Sequence, residues 1–538
     1  MNGKLYTLLA LALLSVISLS SQTVVTITDA DLVGGQTYNW TNDNTYVLDG
    51  PVFLEEGGRL NIEAGTVVRG KPNQGDVASA LIITRGAQIF AEGTANNPII
   101  FTAEDDDVND PGDFLSEDRG EWGGLLILGR ATVARPGGSD NIEGLTVEDR
   151  TAFGGGDNPD DEDNSGVLRY VSIRHGGAAL APGDEINGLT LGGVGSGTEI
   201  DYIEVFANFD DGIEWFGGTV NVKHASVAFC GDDSYDYDFG YRGNGQFWFS
   251  LQGSDDPTGR AGEHDGANPD NQAPFSQPTI YNATYIGTGD ELAPDGDAND
   301  FALLLRDNAG GFYNNSIFAE FPAIGLAIED RDTESSFERL QAGDLAFNNN
   351  TWYDFGAGNT AADLFTAVDP DEIAVATSST VASTLGAANN TFNDPSIAGV
   401  SRTDDGGLDP RLNAGSPDLS GNPTAGDAFF QQVTYRGAFG NADLWLEGWT
   451  ALDAYGYLGD LVTPVDQFDC TVVTDADLVG GVTYNWSADQ CYTLDGLVFL
   501  EEGGVLNIEA GTVIRGQEAN LITTGDNTSA LIITQGAQ

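Results

Sequence analysis

The chain has 538 residues, 40% of them hydrophobic, with 72 glycines and a formal charge of −62 from 83 acidic against 21 basic residues. That length and apolar content suit a large core and more than one folded unit, and the glycines point to many tight turns. The charge repels phosphate backbones and anionic lipid, which excludes nucleic acid and membrane surfaces as partners and favours divalent cations.

Residues 1–21 read as a secretory signal, with Lys4 ahead of the apolar run Leu8 to Ile17 and a small-residue cleavage site at Ser18-Leu19-Ser20. No cysteine lies near that site to carry a lipid anchor, and no later segment is apolar and long enough to span a bilayer. The expected location is secreted or outer cell surface. From Val52 onward come short β-prone runs bounded by glycines: Val52 to Leu54, Leu60 to Ile62, Ala80 to Thr84, Ile89-Phe90 and Pro98 to Thr102. They read as strands of successive coils in a right-handed parallel β-helix, an all-β solenoid. Two long acidic loops leave the coil, at Asp105 to Asp118 and Gly154 to Gly166.

Asp161-x-Asp163-x-Ser165-Gly166 and Asp295-x-Asp297-x-Asn299 echo calcium-loop spacing. The first lacks the closing glutamate and the second the central glycine, so neither is an EF-hand. Leu168 to Ile173, Ile186 to Leu191, Ile200 to Phe206 and Val220 to Phe229 continue the rungs.

The stretch from Asn208 to Gly240 carries one pattern twice. Asp210-Asp211 precedes Ile213, Glu214 and Trp215; Asp232-Asp233 precedes Tyr235, Asp236 and Tyr237; a third pair is Asp255-Asp256. A period of 22 to 23 residues matches one rung, and rungs stack ~4.8 Å apart, so residues one period apart become neighbours. Carboxylates ~5 Å apart repel by about 3 kcal/mol at an effective dielectric of 20. A bound divalent cation, raised pKa values, or side chains splayed into solvent each relieve that strain. Asp210, Asp211, Glu214, Asp232, Asp233 and Asp236 are the expected metal ligands and Ca2+ the expected ion, against turn aspartates that bond to nearby backbone amides. Alternation puts Ile213, Trp215, Tyr235 and Tyr237 on one face, either a core ladder or a stacking platform for sugars.

Strands continue through Phe301 to Leu305 and Ser316 to Ile328, and Glu334 to Leu340 reads as a short helix capped by Asp332 or Thr333. Residues 356–427 look like long loops or a lateral excursion. Residues 429–460 are aromatic-rich and read as the cap of a unit spanning 22–460, followed by a linker over 461–470.

Residues 471–538 open a second copy of the unit. Thr474 to Gly516 differs from Thr28 to Gly70 at nine positions, which means duplication of a whole unit, cut short at Gln538. The chain is therefore read as part of a longer protein. Cys470 and Cys491 replace Val24 and Thr45 of the first copy, and in an exported protein two cysteines gained together suggest a disulfide. Cys230 reads as a buried thiol.

Glu121-Trp122-Gly123-Gly124, Asn187-Gly188-Leu189, Asp210-Asp211-Gly212-x-Glu214-x-Phe216-Gly217-Gly218 and Gly231-Asp232-Asp233 form a recognisable set. With Tyr435-Arg436-Gly437-Ala438-Phe439-Gly440 and Gly448-Trp449-Thr450 they span most of the first unit. Together they resemble a family of exported parallel β-helix proteins of Bacteroidetes and spirochaetes, related to leptospiral outer-surface lipoproteins. The resemblance implies a secreted or cell-surface protein, often with a type IX secretion tail, and carries over no catalytic residues. The chain departs from it in having no lipid-anchor cysteine and no visible sorting tail.

Parallel β-helices also include enzymes that cut acidic polysaccharides, and Asp210, Asp211, Asp232 and Asp233 supply candidate acids and bases. Against that reading, no Gly-His-Gly or Arg-Ile-Lys follows, and His264 and His175 read as structural. A calcium-dependent lyase needs a basic residue beside the acids; Lys223 and Arg242 are in range but read as ion-pair partners of the acidic edge. The expectation is a cation-stabilised β-helix with structural or adhesive work, whose partners are extracellular polysaccharide or cell-surface components. The alternative is a glycoside hydrolase or lyase.

Overall fold

The computed structural model describes residues 23–181, 184–254, 258–289, 299–459, 471–487, 491–494, 497–508, 513–516 and 530–533. The signal reading, the 461–470 linker, Asp255-Asp256, Asp295, Asp297 and Cys470 lie outside these residues, as does the Cys491 side chain. The chain divides into two compact units, Met1–Leu458 and Gly459–Gln538. No described helix is long and apolar enough to cross a membrane.

The first unit is an all-β parallel β-helix. Its ten-stranded sheet stacks in chain order: Pro51–Leu54, Ala80–Ile83, Leu125–Leu128, Leu189–Gly192, Ile213–Phe216, Tyr235–Asp238, Gly262–Asp265, Phe301–Arg306, Ile324–Glu329 and Phe365–Val368. Every pairing in it is parallel, with Leu125↔Leu189, Leu189↔Ile213, Ile213↔Tyr235 and Tyr235↔Gly262 in register. A seventeen-stranded sheet forms the other walls. Because side chains alternate, the first and third residues of most short strands enter one core: Leu125 and Ile127, Leu189 and Leu191, Ile213 and Trp215, Tyr235 and Tyr237; in Phe301–Arg306 the third and fifth, Leu303 and Leu305, do so. Each buried side chain of this size contributes about 1.5–3 kcal/mol. Trp215 stacks on Trp248 at 5.1 Å, and Tyr235 on Tyr285 at 5.2 Å. The aromatic row is thus a core ladder, not an outward sugar platform.

The longer strands of the large sheet turn a corner at one left-handed residue per rung. Tyr170, Tyr202, His224 and Phe247 have φ of 50°, 58°, 43° and 59°. Their rings stack outside the coil at 4.3, 4.2 and 5.0 Å, offsetting strain that bulky residues rarely accept. Asn282, Asn315 and Asn349 take over that position in later rungs, asparagine being a residue that tolerates it.

Two expectations about the end of the unit are corrected. Helix Ser378–Gly386, inside the stretch read as loops, packs on the edge strand Phe365–Val368 and places Val381 and Leu385 in the core. It covers the last rung. Segment 429–460, read as that cap, lies along the side instead: Trp445, Trp449, Tyr455 and Tyr457 pack with Phe206, Phe229, Phe247 and Phe249 on middle rungs. Buried Glu204 fixes it there by accepting from Ala451 N at 2.6 Å. The short helix also shifts, to Ser336–Ala342, with Ser335 accepting from Glu338 N as its cap.

Within the second unit, Thr483–Trp486 pairs with Val505–Ile508 and Cys491–Leu494 with Val513–Gly516, both parallel. Trp486 stacks on Tyr492 at 4.4 Å, as Trp40 does on Tyr46 at 4.6 Å in the first unit.

Candidate functional site

The 22-residue register brings the two aspartate pairs together. Asp211 Oδ1 accepts from Asp233 N at 2.9 Å, and Asp233 Oδ1 in turn accepts from Arg260 N. Each carboxylate satisfies the backbone amide at the same corner one rung on, which would otherwise be buried without a partner. Asn208 supports the turn by donating Nδ2 to Asp211 O at 2.8 Å and Ile186 O at 3.2 Å. Turn chemistry and clustering therefore coexist in the same residues.

Two sets of three carboxylates converge, each with oxygens within 4.8 Å of one another: Asp210, Asp211 and Asp232, then Asp211, Glu214 and Asp236. Asp211 belongs to both. Asp233 stands outside them, its oxygen committed to the Arg260 amide. Alternation that sends Trp215 and Tyr237 inward sends Glu214, Asp236 and Asp238 outward, yet Glu214 is only 5% exposed and Asp211 8%. Asn187 Nδ2 donates to Glu214 Oε2, while Asp236 Oδ1 and Asp238 Oδ1 are buried without a hydrogen-bond partner.

Two unit charges 4.8 Å apart repel by about 3.5 kcal/mol at an effective dielectric of 20. Burial, then the Asp232 and Glu185 charges, pushes Asp210 up to about 7. Burial first and neighbouring carboxylates second raise Asp211, Glu214, Asp236 and Asp238 well above the usual carboxylate range. Near neutral pH this surface takes up protons or an equivalent positive charge. An oxygen-rich set of this kind suits a hard divalent cation.

Further along the same sheet face the protein supplies its own cations. Arg260 pairs with Glu263 at 2.7 Å, Asp300 at 2.9 Å and Glu372 at 2.9 Å; Arg306 pairs with Glu263 at 2.8 Å and Asp265 at 2.9 Å. Sequence reading missed both arginines. It placed Asp255-Asp256 in the third rung, but Tyr235 pairs with Gly262, so Gly259-Arg260 occupy the positions above Asp232-Asp233. The rung is longer than its predecessor, and only a rung-by-rung alignment of inward residues, with Tyr235 matched to Gly262, signals it. Lys223 and Arg242 do not serve this edge. Lys223 lies over the Phe429 ring and Arg242 pairs with Asp161.

Asp210 and Asp232 also line a surface cleft of about 440 Å³ with Glu117, Arg119, Glu185, Phe209 and Gly231. Arg119 directly follows the acidic loop 105–118, and Phe209 is 52% exposed. The remaining candidates sit elsewhere. His264 is fully buried in the core and not in a loop, stacked 3.9 Å from Tyr237 and bonded to Tyr313 OH, and burial pulls it down to about 3. His175 is buried against Asp118 O and Tyr455 OH and lowered to about 4 by burial. Burial lifts the Cys230 thiol to about 12, so it is no nucleophile. Asp161 accepts from Thr132 N at 2.8 Å and serves to close its loop.

A family model described as a pectate-lyase-like β-helix domain matches residues 34–396. No curated protein and no solved structure matches the chain.

Proposed function

Since the chain belongs to the family of pectate-lyase-like β-helix domains, we propose that it is a surface protein that holds acidic polysaccharide through a divalent cation bound by Asp210, Asp211 and Asp232. The observation that carries the reading is the convergence of these three carboxylates, from two adjacent rungs, with Asp210 and Asp232 at the wall of an open cleft that also holds Arg119 and Phe209 and Asp211 buried behind them. A protein of charge −62 repels a polyanion unless positive charge intervenes. A cation shared between Asp210, Asp232 and a sugar carboxylate supplies it, with Arg119 as a second contact. Ca2+ is the proposed ion, because hard oxygen ligands on a turn suit its variable coordination. Export to the cell surface belongs to the same reading, supported by the apolar run Leu8 to Ile17 and by the likeness to exported β-helix proteins.

The test is binding of polygalacturonate to the full chain in Ca2+ and in chelator. Retention in Ca2+ that is lost in chelator, and lost in Asp210→Asn/Asp232→Asn, supports the reading; retention indifferent to both refutes it. One observation favours cleavage as a second reading. Asp210, raised to about 7, can exchange a proton near neutral pH beside the charged Arg119. New reducing ends, or the ultraviolet absorbance of an unsaturated product, would establish it.

A further inference from the structure

The corner Arg174-His175-Gly176-Gly177 closes the strand Gly166–Arg174 and holds the chain on both sides of the cleft. Arg174 O accepts from Trp122 Nε1 at 2.7 Å, and His175 O from Glu121 N at 3.0 Å. Gly176 O accepts from Gly120 N at 2.7 Å and from Phe209 N at 3.0 Å, so one carbonyl ties the residue after Arg119 to the residue before Asp210. Gly177 lies at φ 100°, where a Cβ would stand 2.4 Å from Phe209 N, which reserves the position for glycine. The His175 side chain completes the set. Its Nδ1 lies 2.7 Å from Asp118 O and its Nε2 3.2 Å from Tyr455 Oη. Burial keeps the ring neutral at pH 7, and a carbonyl only accepts, so Nδ1 carries the hydrogen and Nε2 accepts from the tyrosine hydroxyl. Phe114, from the acidic loop, packs on the same ring at 5.0 Å. Within the loop, Leu115 N donates to Asp118 Oδ2 at 2.7 Å and Arg119 Nε to Ser116 O at 3.3 Å. Arg119 thus sits between two anchored neighbours, Asp118 on the imidazole and Gly120 on Gly176 O.

We infer that His175 is a positioning residue of the cleft: it holds Asp118 so that the Arg119 guanidinium is already aimed when a ligand carboxylate arrives. The inference rests on the function proposed above and adds how its second contact is set. A guanidinium on a surface loop gives up conformational freedom when it binds, and a loop fixed beforehand has less to lose. His175 itself is fully buried and touches no ligand. Tyr455 belongs to the flank segment 429–460, so the segment that covers the middle rungs also orients the ring that holds the loop.

The experiment measures polygalacturonate affinity in Ca2+ for the full chain and for its His175→Phe, Arg119→Gln and double variants. Phenylalanine keeps the ring packing, and Phe229 and Phe247, at φ 58° and 59°, show that it accepts this backbone. His175→Phe should weaken binding about tenfold. In the Arg119→Gln background it should weaken binding no further, because its effect passes through that side chain. Ca2+ affinity without polysaccharide should not fall, since coil register sets Asp210 and Asp232. A merely structural role would weaken both backgrounds alike or lower Ca2+ affinity as well. Either result, or wild-type affinity in His175→Phe, overturns the inference. If the wild type binds no polygalacturonate in Ca2+, the proposed function falls and hydrogen exchange decides the positioning role. Amides 114–120 exchanging about tenfold faster in His175→Phe then support it, and unchanged exchange overturns it.

Discussion

Asp211→Asn should reverse its effect with the solution. The substitution keeps an oxygen that accepts from Asp233 N, so the corner bond at 2.9 Å survives. What it removes is the need either to carry a negative charge within 4.8 Å of Asp210 and Asp232 on one side and Glu214 and Asp236 on the other, or to hold a proton there. Each ionised pair costs about 3.5 kcal/mol at an effective dielectric of 20, and proton uptake by the neighbours relieves part, leaving a gain on the order of 2 kcal/mol in chelator. Asp211 is raised in the folded state, so the native protein holds a proton that the unfolded chain has released. Stability therefore falls as pH climbs from the unfolded value near 4 toward the folded one, and the gain from Asn is near zero at pH 4 and grows on the alkaline side. With Ca2+ the sign inverts, because a ligand shared by both triads is lost. Thermal melts of wild type and variant, in chelator and in Ca2+, at pH 5 and 8, test this. A variant less stable than wild type in chelator at pH 8 would refute the claim that repulsion dominates this corner.

Three further outcomes follow from the same geometry. Wild-type stability in chelator should decline from pH 5 to pH 8, since Asp210 and Asp265 sit at about 7 when folded, and Ca2+ should flatten the decline; calorimetry checks both. Trp215→Ala, in the core ladder, should cost about 3–5 kcal/mol in Ca2+ and chelator alike, measured by denaturant titration. Arg260→Ala strips a guanidinium from Glu263, Asp300 and Glu372 and should cost about 3–5 kcal/mol, measured by the same denaturant titration.

The solenoid was legible because its strands are short and glycine-bounded, and because the spacing from Asp211 to Asp233 matches one rung. Ile213, Trp215, Tyr235 and Tyr237 shared a face on paper, but alternation is symmetric and does not say which face meets the core. The neighbouring Leu189 and Leu191, one rung earlier and in register, decide it. The third rung misled because its loop is longer, so a fixed period landed on Asp255-Asp256 where the fold puts Gly259-Arg260. Long-range partners carried no local signal at all: Arg119 reaches the cleft from a loop some ninety positions upstream of Asp210, and Trp449 covers Tyr202 from the far end of the unit. The cap was misread for a related reason. Aromatic richness marks a buried segment, and either the end or the flank of a coil buries one equally well.

Anomalous diffraction from crystals of the full chain grown in Ca2+, or soaked in a lanthanide, tests the central claim most directly. A peak about 2.3–2.6 Å from carboxylate oxygens of Asp210, Asp211 and Asp232 is the predicted result. Saturating metal with no peak there, and the three side chains turned apart into solvent, would contradict it.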